Sequence, residues 1–326
     1  MIDTTALARW ATYPMGPKLR DYLGIGATEY RGGEASTTGV ENSAELTDFL
    51  RTYHPTAKVL PPDAVVDLMD ELVSMDLARA VLDLADHYPE TSTASDFRAQ
   101  LSLAVAAMLT GDLANSEARF RTAQELLPEE PAPYVNLAQI MLTQNRLAEA
   151  ELWTLAGLDA EPNNLNLWDL IAVILREVHG EYMPDRLMAL ADKRCAWAGL
   201  SLAANLTTTG DRYLKATLLE RLYSQGERDP QFLVELTGAH GVAGDFGKIP
   251  PLVWQAERLA TKGVPWQLHI HCAQAQLALN EAQAALSQLA KAKTDASMPP
   301  EARAAVSELE EEAAAQLRGD DQATHH

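Results

Sequence analysis

His269 and His271, two residues apart in "LHIHCAQ", come closest to a metal-binding pair. To share an ion, both rings would have to lie on one side of their element. On a helix, residues two apart point to different sides, so they read as surface or packing histidines. "GIGATE" at 24–29 has two glycines of a dinucleotide loop but lacks the third, and no strand–helix alternation surrounds it. GxxxxGK[ST], HExxH and GxSxG do not occur. Acid pairs such as Asp169 and Glu177 are too common among 46 acidic residues for any one to signal acid–base catalysis. Asn205 opens a glycosylation sequon, "NLT", inside a stretch that reads as helix. Cys195 and Cys272 form no CxxC. Both sit in apolar, Ala-rich surroundings, so both read as buried free thiols, which suits a reducing compartment. The chain is therefore read as not an enzyme, with no catalytic residue, no metal and no cofactor.

Composition narrows the partner. The net charge is −20 and the pI near 4.7. Binding to phosphate backbones needs clustered Lys and Arg, so no nucleic acid is expected, and no anionic membrane surface. The N-terminal stretch has no continuous apolar core of a secretory signal, and no run approaches the ~18 apolar residues of a membrane helix. A cytoplasmic location is the expectation. Aromatics make up only 6 % of the residues, and Ala and Leu carry the apolar content, which favours helix over sheet.

With chemistry unsupported, the elements themselves become the signal. "LTGDLANSEARFRTAQELLP" (109–128) recurs on a shift of 34 residues. Gly111-Asp112-Leu113 falls on Asn145-Arg146-Leu147, Ser116 on Ala150, Ala123 on Gly157 and Pro128 on Pro162. Tyr134 falls on Trp168, and Gly210 and Gly244 are again 34 apart. A fixed period of this length marks a helical repeat array. Within one unit, Tyr134, Leu137, Ala138, Met141 and Leu142 lie at helical spacing. Gly or Asn, which tolerate a left-handed backbone, ends that first helix, and proline marks the end of the second. Ala104, Ala138, Ala172, Ala123 and Ala150 let paired helices approach closely. One such pair cannot bury its apolar face alone, so pairs must stack.

These residues resemble the tetratricopeptide repeat family, whose pattern runs W-x2-L-G-x2-Y, A-x3-F, P. Residues 131–164 carry Tyr134, Leu137, Ala138, Met141, Ala150, Thr154 and Pro162 in those places, and 97–130 carry Leu103, Ala104, Ala107, Ser116, Phe120 and Pro128. The likeness extends over about 62–298 and weakens toward both ends. It implies an all-α fold, a right-handed superhelical solenoid of antiparallel helix pairs. Residues 1–61 are expected as a loop-rich extension, with short helices at 3–12 and 43–53 and a linker at 24–42. Residues 62–298 form the array of six to seven pairs. Residues 299–318 form a capping helix, with Pro184 near the start of an irregular helix within the array. Residues 319–326 are expected as a disordered tail or tag remnant.

The resemblance also implies a mode of action: the family lines its concave face with first-helix side chains. By position these are Arg98, Leu101, Val105 and Met108, then Val135, Asn136, Gln139 and Leu142, then Asn166, Asp169, Val173 and Arg176, then Trp197, Leu200 and Ala204. Relatives that clamp a carboxylate tail use Lys and Asn; here only Asn136 matches, and Leu101 and Val105 stand where polar groups would be. The groove expected is apolar and suits a peptide segment. The same residues could equally pack against a neighbouring helix, and the sequence leaves both open. The partner expected is a protein or peptide, which makes the chain a scaffold or adaptor. Alternatives are self-assembly, as a homo-oligomer, through the N-terminal arm around "WATYPMGPKLRDYLG" (10–24), or an accessory subunit that delivers substrate to an enzyme.

Overall fold

The computed structural model describes residues 18–19, 60–92, 95–180, 183–207, 212–261 and 263–323, and every element among them is helical. The expected short helices at 3–12 and 43–53 and the linker at 24–42 lie outside the described residues. Seven pairs follow one another: α1 (Pro62–Ser74) with α2 (Ala78–His87), α3 (Phe97–Leu109) with α4 (Leu113–Leu126), α5 (Pro131–Thr143) with α6 (Leu147–Ala160), α7 (Leu165–His179) with α8 (Met183–Lys193), α9 (Trp197–Leu206) with α10 (Leu214–Ser224), α11 (Pro230–Ala243) with α12 (Ile249–Leu259), and α13 (Trp266–Ala278) with α14 (Ala282–Lys293). The long helix α15 (Pro300–Ala323) closes the series. It runs through Gly319 to Ala323, so the helix extends beyond the end expected at 318. A single helical glycine costs only ~1 kcal/mol and does not stop a helix by itself.

Local chemistry starts and stops these helices. Asp96, Asp112, Asn164 and Asp229 stand at N-caps and accept backbone N–H groups of the first turn, each such cap stabilising by ~1 kcal/mol. Pro62, Pro131 and Pro230 occupy the first helical position, where no N–H is needed. Five first helices end in a left-handed residue: Asp76, Gly111, Asn145, Gly244 and Asn280. The next N–H then reaches five residues back, as in Asp112 N–H to Ala107 O (2.9 Å), Arg146 to Met141 (2.8 Å) and Glu281 to Gln276 (2.7 Å). This closure satisfies carbonyls the helix end would otherwise orphan.

The chain divides into two compact units, 1–161 and 162–326. The boundary falls inside the expected single array, at the turn between two pairs. Repeats contact mainly their neighbours, so such a turn is where few contacts are cut. In the first unit, Phe120 and Ala123 are fully buried, and buried Ser116 donates to Ala104 O at 2.8 Å, drawing α4 onto α3. Tyr134 donates to Pro128 O at 2.8 Å. In the second unit, Trp168, one repeat later, donates to Pro162 O at 2.7 Å. The aromatic thus pins the loop before its own helix in both repeats. The last core joins α13, α14 and α15 through Ile270, Leu277, Leu289, Met298 and Val306.

Two sequence expectations need correction. Cys272 is buried, but Cys195 is exposed, in the left-handed turn before α9 (φ 52°). Trp197 and Leu200, expected on the binding face, are buried at 4 % and 0 % exposure. The irregular stretch around α8 slips the register, so Trp197 turns inward toward the Phe232 ring, 6.3 Å away between centroids. Ser201 then meets the next first helix, donating to Glu235 at 2.7 Å.

Candidate functional site

The left-handed turns give a common register for one face of the first helices. Counting back six and three residues from each reaches Val105 and Met108 in α3, Gln139 and Leu142 in α5, Gly238 and Gly241 in α11, and Gln274 and Leu277 in α13. The same count in α1 reaches Asp70 and Val73. Residues one repeat apart therefore occupy equivalent places on successive first helices.

In the first unit this face is apolar in the middle and charged at one edge. Leu101, Val105, Met108, Val135 and Leu142 are each half-buried, and Gln139 is exposed. Arg98 is already engaged: its guanidinium donates to Asp67 (2.9 Å) and to both Asp70 and Asp67 as ion pairs. Ser102 also donates to Asp70. Lys18 Nζ reaches Asp67 at 2.8 Å. Hydrogen bonds from Lys18 and Arg98 hold the Asp67 carboxyl below its ordinary value. Asn136 turns its amide N–H onto its own helix, at Ala132 O (2.8 Å). The two polar candidates with the most specific chemistry thus have intramolecular partners, and the apolar ones keep partial exposure. Asp169 and Arg176 lie on α7 in the second unit, exposed, beside Val173 at 39 %.

The second unit carries a feature the sequence reading missed. A cavity of about 470 Å³ opens between α11, α13 and α15, within the ~300–1,000 Å³ range of ligand-sized sites. Its floor includes Gly238 and Gly241, and Thr237, His271 and Gln274 add polar groups. Val242, Phe246, Leu277 and Leu309 form apolar walls, and Glu312 stands at the mouth. His271 and Thr237 are one repeat apart, with Nδ1 2.8 Å from Oγ1. Thr237 Oγ1 lies 2.9 Å from Leu233 O. Burial lowers the His271 pKa below 6.5, against the opposing Glu235 charge, so the ring is neutral near pH 7. His269 faces another way, onto Gln288 Oε1 at 2.8 Å. The two histidines do separate jobs on separate sides of α13. Among the described residues, no group of three or more His, Cys, Asp or Glu is placed to hold a metal. No described helix is long and apolar enough to cross a membrane.

Residues 107–174 match the tetratricopeptide repeat family model. Solved structures that align with the chain include yeast Tom70, at 13 % identity over 96 % of this chain and 70 % of that one, with a TM-score of 0.48. A tetratricopeptide repeat protein from Parabacteroides merdae ATCC 43184 aligns at 13 % identity over 77 % of this chain and 98 % of that one, TM-score 0.39. Pseudomonas aeruginosa PilF aligns at 12 % identity over 76 % and 92 %, TM-score 0.32. No curated protein matches the chain.

Proposed function

We propose that this protein, which carries tetratricopeptide repeats at residues 107–174, is a non-enzymatic scaffold that holds a peptide segment of a partner protein against this face of its first helices. Repeats of this kind generally mediate protein–protein contacts. The observation that carries the reading is the half-buried apolar side chains on this face of α3 and α5: Val105 and Met108, with Leu142 at the place equivalent to Met108. Such a face gains by being covered, at ~25 cal/mol per Å² of apolar surface. Each repeat adds a few contacts to one continuous surface. The tagged full-length chain should capture a protein from its source cells. Val105→Glu and Leu142→Glu should lose that protein while the far-ultraviolet helical signal stays unchanged. Capture unaffected by both substitutions removes this face from consideration.

A second reading, attachment of the N-terminal arm, is favoured by one contact. The backbone N–H groups of Lys18 and Leu19 both bond to the Glu71 carboxylate, at 3.0 and 2.7 Å, and Leu19 is fully buried. Glu71 and Asp67 sit on α1, next to the Arg98 edge of the same face. The arm then either bridges two copies or occludes the face in cis. Light scattering on the full chain carrying Leu19→Asp separates these. A fall from oligomer to monomer marks assembly; unchanged mass with stronger partner capture marks occlusion. Neither change removes the second reading.

A further inference from the structure

The cavity of the second unit is built unlike a leftover between packed helices. Two of its floor positions, Gly238 and Gly241, lie where the first unit carries Val105 with Met108 and Gln139 with Leu142. A side chain begun at Gly241 would meet no atom within 4 Å, and one at Gly238 only the His271 ring edge at 3.5 Å. No steric demand of the fold therefore requires glycine at 241, and its effect is to keep the helix backbone open to whatever enters. The far wall comes from α15, through Leu309 and Glu312, so the terminal helix builds the site as well as closing the last core. Gln316 Nε2 on the same helix donates to Leu277 O at 3.2 Å, fixing α15 against α13.

The charge around this opening is one-sided. Glu312 is exposed at the mouth, while the described lining residues include no Lys or Arg. Val242, 72 % exposed, leaves an apolar side chain beside it. A hollow walled by Val242, Phe246, Leu277 and Leu309, with polar groups from Thr237, His271 and Gln274 and a carboxylate at its lip, suits an aliphatic side chain beside a cation. Lysine and arginine side chains next to an aliphatic residue have that form.

We propose that the cavity between α11, α13 and α15 is a docking site for a partner peptide that places an aliphatic side chain over Gly238 and Gly241 and a neighbouring Lys or Arg on Glu312. This rests on the reading of the first-helix faces as peptide-binding and names the chemistry of the partner. The two can fail separately, because Val105 and Gly241 belong to different compact units.

The probes are three fluorescent twelve-residue peptides, one of alternating Leu and Lys pairs, one with Glu replacing Lys, and one with Ser replacing Leu. Each is titrated by anisotropy against the full chain at ~0.15 M salt, where exposed charges more than ~8 Å apart are largely screened. The Leu–Lys peptide should bind, and the Leu–Glu and Ser–Lys peptides should bind at least about tenfold more weakly, ~1.4 kcal/mol or more. Gly241→Leu fills the open floor and should abolish binding; Glu312→Lys should weaken it by about tenfold or more. Neither variant should melt below the parent, since position 241 has room and Glu312 is exposed. No binding of the Leu–Lys peptide overturns the proposal, as does binding equal in the parent and Gly241→Leu. Binding lost in Val105→Glu but kept in Gly241→Leu overturns it while leaving the first-unit face standing.

Discussion

The two compact units use one set of local rules and differ in the side chains those rules leave on the first-helix face. Left-handed turns end the first helices alike, at Gly111 and Asn145 in one unit and at Gly244 and Asn280 in the other. An aromatic pins the preceding loop in each, through Tyr134 and Trp168. Yet the same register positions hold Val105, Met108, Gln139 and Leu142 on α3 and α5 of the first unit and Gly238, Gly241, Gln274 and Leu277 on α11 and α13 of the second. The first unit's face is filled and edged with ion pairs, whereas the second unit's is hollow and edged by one carboxylate. Turn and spacer positions are constrained by backbone geometry and close helix approach.

The comparison implies that interior spacers matter most to folding. Phe120 is fully buried between α4 and its neighbours, so Phe120→Ala should cost ~3–5 kcal/mol through lost transfer energy plus a cavity. Denaturant unfolding followed by hydrogen exchange should show the loss within α3 to α6. A cost near that of an exposed substitution, under ~0.5 kcal/mol, would break the distinction between interior and outward positions.

Two helical glycines of the second unit sharpen it further. At Gly199 an added Cβ would lie 2.6 Å from three atoms of the Trp168 indole, a ring that is 1 % exposed and tied to Pro162 O. The ring cannot step aside cheaply, and Gly199→Ala should destabilise by ~1–3 kcal/mol. At Gly241 the same change meets open space and should stabilise by ~0.5–1 kcal/mol from helix propensity alone. Opposite signs in two thermal melts would place Gly199 among the spacers and Gly241 among the outward positions. Equal signs would dissolve that assignment.

Much of the fold was legible in the sequence because its signals are local. Gly111, Asn145, Ser116, Ala123, Phe120 and Pro128 act within one pair or between adjacent pairs, and their 34-residue spacing exposes them. What was not legible depends on where distant helices come to rest. Arg98 looks like a free groove cation until α1 brings Asp67 and Asp70 beside it. The cavity escaped notice because its floor is two glycines, an absence of side chains, and its wall returns from α15. Leu309 and Glu312 lie in a segment read only as a capping helix. Trp197 and Leu200 were misplaced for a different reason: the counting register passes through the irregular segment around α8, where a fixed period no longer holds.

The smallest effect tests the edge of the first-unit face. Arg98→Gln removes a half-exposed guanidinium from Asp67 and Asp70. Exposed pairs of this kind contribute little and are screened by salt, so the loss at pH 7 should be smaller than that of Gly199→Ala and should fade in molar salt. Its pH dependence has a definite sign. Lys18 and Arg98 lower the Asp67 pKa from 3.8. A depressed carboxyl pKa contributes stability that is fully present above the unfolded value and is lost as pH falls through the folded one. Parent and Arg98→Gln should therefore differ at pH 7 and converge below about pH 4, as the Asp67 carboxylate takes up its proton. A difference that persists in acid and in high salt would mean that the Arg98 stem matters more than its charge. The edge would then be a hydrophobic seam like the middle of the same face.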